Sequence, residues 1–324
     1  MDFVEQTCTK KLGPMLAIIG IVLVFVAVFG GYLLERGNPY VLMQPAELLI
    51  IGGSAVGIAL VANPWLVIRR MLRGVMVAFR PSREDRQYFL RHLRMLYEVF
   101  VYSQRAGGIM ALEADVDDPS KSAIFSHHPQ FLADRNLRDF ICDSLRMLVI
   151  GVTTPHELDL LMDLDIDIQR RGRHDPVNAL SAIADALPGF GIVAAVLGVV
   201  ITMEAIGGSP ETIGQKVAAA LVGTFLGILL CYGVVGPMAA RLENHNEAQN
   251  QFLQVMRTAI VAFARGASPI LAVEYARRSI PIELRPSFVD METTIKRDAK
   301  IPSVPKAGDA ESAGGAPDDS GQAA

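Results

Sequence analysis

The chain has 324 residues, of which 51% are hydrophobic, and its formal net charge at pH 7 is -4. So large an apolar fraction favours a membrane protein, and the near balance of charge excludes the concentrated basic face that binds nucleic acid. The three cysteines, Cys8, Cys142 and Cys231, lie far apart and form neither a disulfide framework nor a metal-ligand pattern.

Four apolar stretches approach the roughly 20 residues that a helix needs to cross a bilayer core of about 30 Å. They are residues 15–34, 48–66, 188–206 and 217–240. The first follows Lys10 and Lys11, as the apolar core of a secretory signal would, but it has full span length and offers no small-residue cleavage site. We therefore expect it to be a retained span.

Arginines after the second span fix the orientation, because Lys and Arg near span ends stay in the cytoplasm. Six of them lie within about 20 residues of its end: Arg69, Arg70, Arg73, Arg80, Arg83 and Arg86. The short loops between spans one and two and between spans three and four carry only Arg36 and the boundary residue Lys216. The sequence thus predicts that the segment after span two and both chain ends are cytoplasmic.

These observations predict an all-α integral membrane protein with four transmembrane helices and a large helical cytoplasmic insertion between spans two and three. The predicted segments are a cytoplasmic N-terminal extension (1–14), spans one and two (15–68), the insertion (69–187), spans three and four (188–240), cytoplasmic C-terminal helices (241–298) and a disordered tail (299–324). The tail is assigned as disordered because it has almost no apolar bulk to bury.

Helices are expected throughout the insertion. Apolar residues recur at helical spacing over residues 83–105, where Arg86, Arg91, Arg94 and Glu98 are expected to face water. A second helix is expected over residues 136–150. The string Thr154-Pro155-His156-Glu157 is typical of a capping box that opens a third helix, ending near Gln169.

His127 and His128 are expected in a solvated loop between these helices, because no further ligand at a usual spacing accompanies them. After span four, the pattern predicts helices over residues 241–265 and 271–278.

No string in the chain carries an enzyme signature. The G-x-G-x-x-A string at 189–194 lies in a membrane span, not in the strand-turn-helix context of a dinucleotide site. The three aspartates at 163–167 lack the glycine and glutamate that complete a calcium loop. We expect no catalysis, no cofactor and no metal.

Spans three and four lack ionisable side chains, since Pro188–Met203 and Val217–Ala240 contain no Asp, Glu, Lys, Arg or His. Ionisable groups inside a bilayer are costly and mark ion paths. The chain is therefore either a scaffold or the wall of an ion path whose titrating group belongs to another protein.

Small residues, hydroxyls and prolines replace charge in these spans. The strings Gly53-x-x-x-Gly57 and Gly223-x-x-x-Gly227 each put small residues on one helix face, which suits general packing, an oligomer interface or the wall of a narrow path. Thr224 either bonds its own helix backbone or lines a pore, and Thr202 supplies a second hydroxyl.

Two prolines lie near the ends of spans three and four. Pro188 is either the first residue of a helix or a hinge, whereas Pro237 is expected to kink span four by removing a hydrogen bond.

Several strings occur together in a specific order. They are Gly30-Gly31-Tyr32-Leu33-Leu34, Gln44-Pro45-Ala46-Glu47-Leu48, Leu187-Pro188-Gly189-Phe190-Gly191, Val222-Gly223-Thr224-Phe225-Leu226-Gly227 and Arg285-Pro286-Ser287-Phe288. With the four-span layout, they make residues 15–292 resemble the MotA family of flagellar motor stator proteins, part of the MotA/TolQ/ExbB proton channel family.

The resemblance implies a pentamer in the bacterial inner membrane around a dimer of MotB, whose aspartate carries the coupling ion. It places Ala195 and Thr224 in the lining of the ion path and assigns functional roles to Pro188 and Pro237. The hydroxyls of Thr202 and Thr224 could line a proton path or help to ligate sodium, and similarity to the proton-type group favours H⁺ over Na⁺.

The resemblance also implies contact with the rotor protein FliG through Arg105 and Glu113. Arg91, Arg94 and Glu98 are nearby charges that could share this role.

Two other functions remain open. An ExbB/TolQ-type energiser would have three spans with its large loop after the first, and a stand-alone channel would need charge in the span centres. Neither layout matches the predicted one.

Overall fold

The computed structural model describes residues 2–79, 84–203, 207 and 209–302, with side chains from residue 15 onward. Every regular element in these ranges is helical, which confirms the predicted all-α class. The predicted end of span three at residue 206, residues 303–324 of the predicted disordered tail, Arg80 and Arg83 lie outside the described residues.

The helices of the described residues are, in chain order, α1 (Asp2–Leu34), α2 (Pro39–Leu42), α3 (Pro45–Ala62), α4 (Trp65–Ala78), α5 (Arg86–Arg105), α6 (Glu113–Asp117), α7 (Pro129–Ala133), α8 (Arg135–Ile150), α9 (Pro155–Met203), α10 (Pro210–Leu230), α11 (Gly236–Ala264), α12 (Pro269–Ser279) and α13 (Phe288–Asp298). Single 3₁₀ turns at Ile109–Leu112 and Phe125–His127 and a π-helical turn at Cys231–Val235 complete them.

Four helical segments of the described chain are long and apolar enough to cross a membrane, as predicted. They are Met15–Leu34, Pro39–Ala62, Pro155–Met203 and Pro210–Ala264. The last two are much longer than a bilayer requires, since the 49 residues of α9 extend over roughly 70 Å at about 1.5 Å per residue.

The chain forms two compact units. Unit 1 consists of Met1–Glu84 and Asp167–Asn250, and unit 2 consists of Asp85–Ile166 and Gln251–Ala324. Unit 1 holds the apolar helices. Unit 2 holds the larger core, in which Phe89, Leu93, Leu96 and Phe100 of α5 are fully buried, as their helical spacing predicts.

Two predicted helix boundaries are wrong. The second apolar helix, predicted over residues 48–66, ends at Ala62, because Asn63 takes an extended conformation before Pro64 and a separate helix, α4, begins at Trp65. A residue before proline is pushed out of the helical region by steric clash, which explains the break.

The helix predicted to end near Gln169 instead continues to Met203. Pro176 and Pro188 therefore lie inside α9, and the interpretation of Pro188 as the first residue of a helix is wrong. Each proline removes only one backbone hydrogen bond. Packing on both sides holds the helix through them, since the adjacent residues Val177 and Leu187 are buried.

Candidate functional site

Helices α9 and α10 approach each other along a line of small residues, which we call the glycine seam. Gly191, Ala194 and Gly198 of α9 lie against Ala220, Gly223 and Gly227 of α10. The approach is at backbone distance: a Cβ added to Gly227 would lie 2.6 Å from the carbonyl oxygen of Leu187, and one added to Gly191 would lie 2.8 Å from that of Gly223. Only glycine fits at these two positions.

Thr224 and Ala195 lie next to the glycine seam and are half-buried. Thr224 follows Gly223, and its Cα would be 3.3 Å from a Cβ on Gly191. Ala195 follows Ala194, whose methyl group contacts Gly223. The structure therefore brings the two predicted lining residues to one part of the seam. No described residue bonds the hydroxyl of Thr224, so this threonine is not bonded to its own helix backbone.

Thr202 lies farther along α9 and differs from Thr224. Its hydroxyl donates a 2.7 Å hydrogen bond to the carbonyl oxygen of Gly198, one turn earlier. The residue is buried, with 4% of its surface exposed. Its donor is therefore occupied by its own helix, and only the oxygen lone pairs remain for another partner.

A carboxylate from α3 enters the seam. Glu47 is 7% exposed, and its Oε2 has no hydrogen-bond partner among the described residues. This oxygen lies against Gly223, and Oε1 lies 3.6 Å from where a Cβ on Gly198 would be. The missing Cβ atom of Gly223 provides the space that the carboxylate occupies, whereas a Cβ on Gly198 would be in ordinary van der Waals contact with it. An ionisable side chain in such a place marks a candidate functional group.

The sequence prediction missed Glu47 because it began span two at Leu48. The signal was available: Pro45 is a favoured first residue of a helix, and an acidic residue is typical of the first turn. Helix α3 begins at Pro45 with Glu47 in its first turn. A boundary set three residues earlier would have placed this carboxylate inside the span.

The proline of the fourth span lies beside a π-helical turn. The turn covers Cys231–Val235, where the amide of Gly236 donates to the carbonyl of Cys231, and Pro237 follows in the first turn of α11. π-Helical turns within helices are frequent at functional sites and points of bending. The regular hydrogen-bond ladder of span four is thus interrupted by a π turn just before the proline, and the kink predicted at Pro237 stays a prediction.

The two residues predicted to contact the rotor flank a short segment of unit 2 that contains the 3₁₀ turn Ile109–Leu112. Arg105 is the last residue of α5 and Glu113 the first residue of α6, and both are exposed. Gly107 and Gly108 between them have φ values of 90° and 138°, which favour glycine. Neither charge makes an ion pair with another described residue. Both are free to meet a partner.

Glu98, predicted to face water, is fully buried, and its carboxylate has three partners. Oε1 accepts hydrogen bonds from Nε of Arg94 (2.9 Å) and the backbone amide of Lys300 (2.9 Å), and Oε2 lies 2.8 Å from Nε2 of His128. Burial alone would raise the pKa of Glu98, but these hydrogen bonds outweigh it and lower the pKa.

The surface role considered for Glu98 and the solvated loop predicted for His128 are therefore wrong. The face of α5 that carries Glu98 is covered by chain segments that are distant in the sequence. Helical periodicity within α5 cannot reveal such packing. Arg91 stays exposed, and Arg94 is half-buried against Glu98.

A buried histidine should make the stability of unit 2 depend on pH. His92 is 2% exposed, and burial, together with the charges of Arg91 and His128, lowers its pKa from 6.5 to about 4. As pH falls from 6.5 to 4, the unfolded chain binds a proton that the folded chain refuses, so stability is lost in this window. The expected loss is about 3 kcal/mol.

Thermal unfolding followed by circular dichroism between pH 7.5 and pH 4 measures this loss. In His92→Phe the midpoint is expected to fall less steeply with pH, whereas the matched control His127→Phe, at an exposed position, should follow the unmodified chain. Equal slopes for all three proteins would show that His92 does not carry the effect.

Comparison with known proteins agrees with this architecture. The family profile described as Motility protein A N-terminal matches residues 18–107, and that of the MotA/TolQ/ExbB proton channel family matches residues 133–255. Motility protein A of Salmonella typhimurium is 36% identical over 282 residues, which cover 87% of this chain and 95% of that protein.

Two solved structures have a similar fold. The structure of C. jejuni MotAB gives a TM-score of 0.69 at 19% identity and covers 84% of this chain and 98% of that chain. The flagellar MotAB stator complex from Bacillus subtilis gives 0.65 at 22% identity and covers 85% and 97%.

Proposed function

Because this chain belongs to the motility protein A family, we propose that it is a stator subunit of the bacterial flagellar motor, which converts ion flow into torque. The glycine seam carries this proposal. It combines backbone contact between two apolar helices with an unbonded hydroxyl at Thr224 and no ionisable side chain within Pro188–Met203 or Val217–Ala240. Such a wall suits an ion path whose main carboxylate comes from elsewhere.

The proposed source of that carboxylate is MotB, through an aspartate on a single membrane helix. The solved relatives are complexes of MotA with MotB, which supports this partner. We propose a pentamer of this chain around a MotB dimer in the bacterial inner membrane, with the insertion of residues 69–187 and both chain ends in the cytoplasm. The arginines that follow span two support this orientation.

The proposed mechanism begins with protonation of the partner's aspartate. Neutralising a carboxylate at low dielectric changes its energy by several kcal/mol, enough to bias a packed interface between two arrangements. Protonation would alter the contacts that the partner's aspartate makes with Thr224 and Ala195. Pro188, inside α9, and the π turn before Pro237 would pass this change along their helices, because both interrupt the regular hydrogen-bond ladder.

Unit 2 carries the residues that are proposed to act on the rotor. Arg105 and Glu113 present opposite charges on either side of the segment between α5 and α6, and we propose that they engage complementary charges on the rotor protein FliG. Their exposure and lack of partners among the described residues support this role. The coupling ion is proposed to be H⁺, with Thr202 and Thr224 contributing hydroxyl oxygens to its path.

Deleting the gene in the bacterium that carries it should leave flagellar filaments intact but stop their rotation, and a plasmid copy should restore it. Swimming speed measured against sodium concentration at fixed pH identifies the ion: H⁺ coupling predicts no dependence on sodium and loss of speed with a protonophore. Rotation that survives deletion would contradict the stator function, provided that no second stator gene is expressed. A defect in outer-membrane integrity with normal swimming would favour the ExbB/TolQ class.

A further inference from the structure

Helix α4 is a separate element directly after the second apolar helix. It runs from Trp65 to Ala78 and starts after the break at Asn63 and Pro64. Its 14 residues contain Arg69, Arg70 and Arg73 but no acidic residue. A short amphipathic helix that follows a span, with arginine and tryptophan on its surface, is typical of a helix lying in the membrane interface.

One face of α4 is anchored to unit 1. Met71 packs with Ala179, Leu180 and Ala239, and Ala78 packs with Val177 and Leu242. The guanidinium of Arg241 also donates to the carbonyl oxygen of Ala78. The orientation of α4 about its own axis is therefore set by contacts with α9 and α11, and the residues on its other side point away from the protein.

The outward face combines an apolar stripe with positive charge. Trp65, Leu72 and Met76, at positions i, i+7 and i+11, share this face and are 71%, 56% and 61% exposed. Arg69 and Arg73, one turn apart, are exposed beside the stripe. Neither arginine makes an ion pair with another described residue. An apolar stripe of this kind costs free energy in water but is stabilised in the acyl region of a bilayer.

We infer that this outward face of α4 binds the headgroups of anionic phospholipids. Val61, the second-last residue of α3, is 91% exposed, so exposed apolar side chains lie on both sides of the break at Asn63 and Pro64. Guanidinium groups pair bidentately with phosphate oxygens, and a helix with three arginines and no carboxylate attracts negative headgroups over neutral ones. The inference requires insertion of unit 1 into a membrane but not the motor function.

The test uses the one tryptophan of the chain, since Trp65 alone carries indole fluorescence. The full chain is reconstituted into vesicles of phosphatidylcholine and phosphatidylglycerol in which one lipid or the other carries brominated acyl chains. Quenching per mole fraction is expected to be about fivefold or more stronger for brominated phosphatidylglycerol, the factor that one arginine near an anionic surface contributes. High salt should reduce this preference by screening.

Charge removal at α4 supplies the control. Arg69→Gln with Arg73→Gln should lower the preference by about fivefold or more, whereas Arg135→Gln with Arg278→Gln, an equal charge change at exposed positions of unit 2, should retain it. Equal quenching by the two brominated lipids would overturn the inference in favour of lipid contact without selectivity. No quenching by either would overturn it in favour of a protein neighbour, such as a second copy of the chain, covering this face.

Discussion

Gly227→Ala is expected to abolish torque generation by forcing α9 and α10 apart. The added methyl group would lie 2.6 Å from the carbonyl oxygen of Leu187 and 2.9 Å from the Cα of Gly191. Both are backbone atoms, so no side-chain rotation can relieve the clash. Overpacking of this kind typically costs about 1–3 kcal/mol, and here the displaced carbonyl directly precedes Pro188.

Matched alanine substitutions separate this clash from any general intolerance of the apolar helices. Gly214→Ala on α10 and Gly189→Ala on α9 add the same methyl group where no atom of another described helix lies within 4 Å. These variants should assemble and swim normally. Membrane content by immunoblot and torque from beads attached to flagella are the measurements. If Gly227→Ala supports torque like Gly214→Ala, close backbone contact is not required.

Glu47→Gln is expected to stabilise the folded chain while lowering torque. The carboxylate is buried in the glycine seam, and its Oε2 lacks a partner among the described residues. Replacing such a group by a neutral isostere removes the cost of burying an unpaired charge, which exceeds the about 1–3 kcal/mol of an unpaired neutral polar group. An ionisable group retained at this cost in a membrane helix indicates a function in ion transfer.

Opposite changes in stability and activity distinguish this role from a structural one. A residue needed only for packing would lose both stability and torque when replaced. Thermal unfolding in detergent and motor speed across a range of external pH provide the two readouts, with Glu211→Gln, an exposed carboxylate in the first turn of α10, as the control. Unchanged torque in Glu47→Gln would remove this residue from the ion path.

Much of the fold follows from patterns within the chain. The four membrane-capable helices, the helix over residues 86–105 and the first two helices after span four lie where apolar length and helical spacing predict them, apart from the two wrong boundaries, whereas α13 was not predicted. Local signals are sufficient for these because each helix satisfies its own backbone hydrogen bonds, in lipid or in water.

Helix boundaries at prolines depended on packing. Pro64 ends a helix, because Asn63 before it is extended, while Pro188 lies within one. The residue type is the same, but Pro188 follows Leu187, which is buried, and precedes by three residues Gly191, which contacts α10. The free energy lost with one missing hydrogen bond is small compared with the free energy gained by packing a 49-residue helix.

The sequence by itself determined the class of the molecule, its four apolar helices and the strings that identify its family, because these depend on residue type and order along the chain. It could not decide which small-residue face packs against another helix of the same chain. Gly53-x-x-x-Gly57 and Gly223-x-x-x-Gly227 have the same spacing. No atom of another described helix lies within 4 Å of a Cβ added to Gly53 or Gly57, whereas Gly223 and Gly227 contact Glu47 and α9. Only the tertiary structure assigns this difference, because a glycine face excludes or admits a neighbour according to what packs against it.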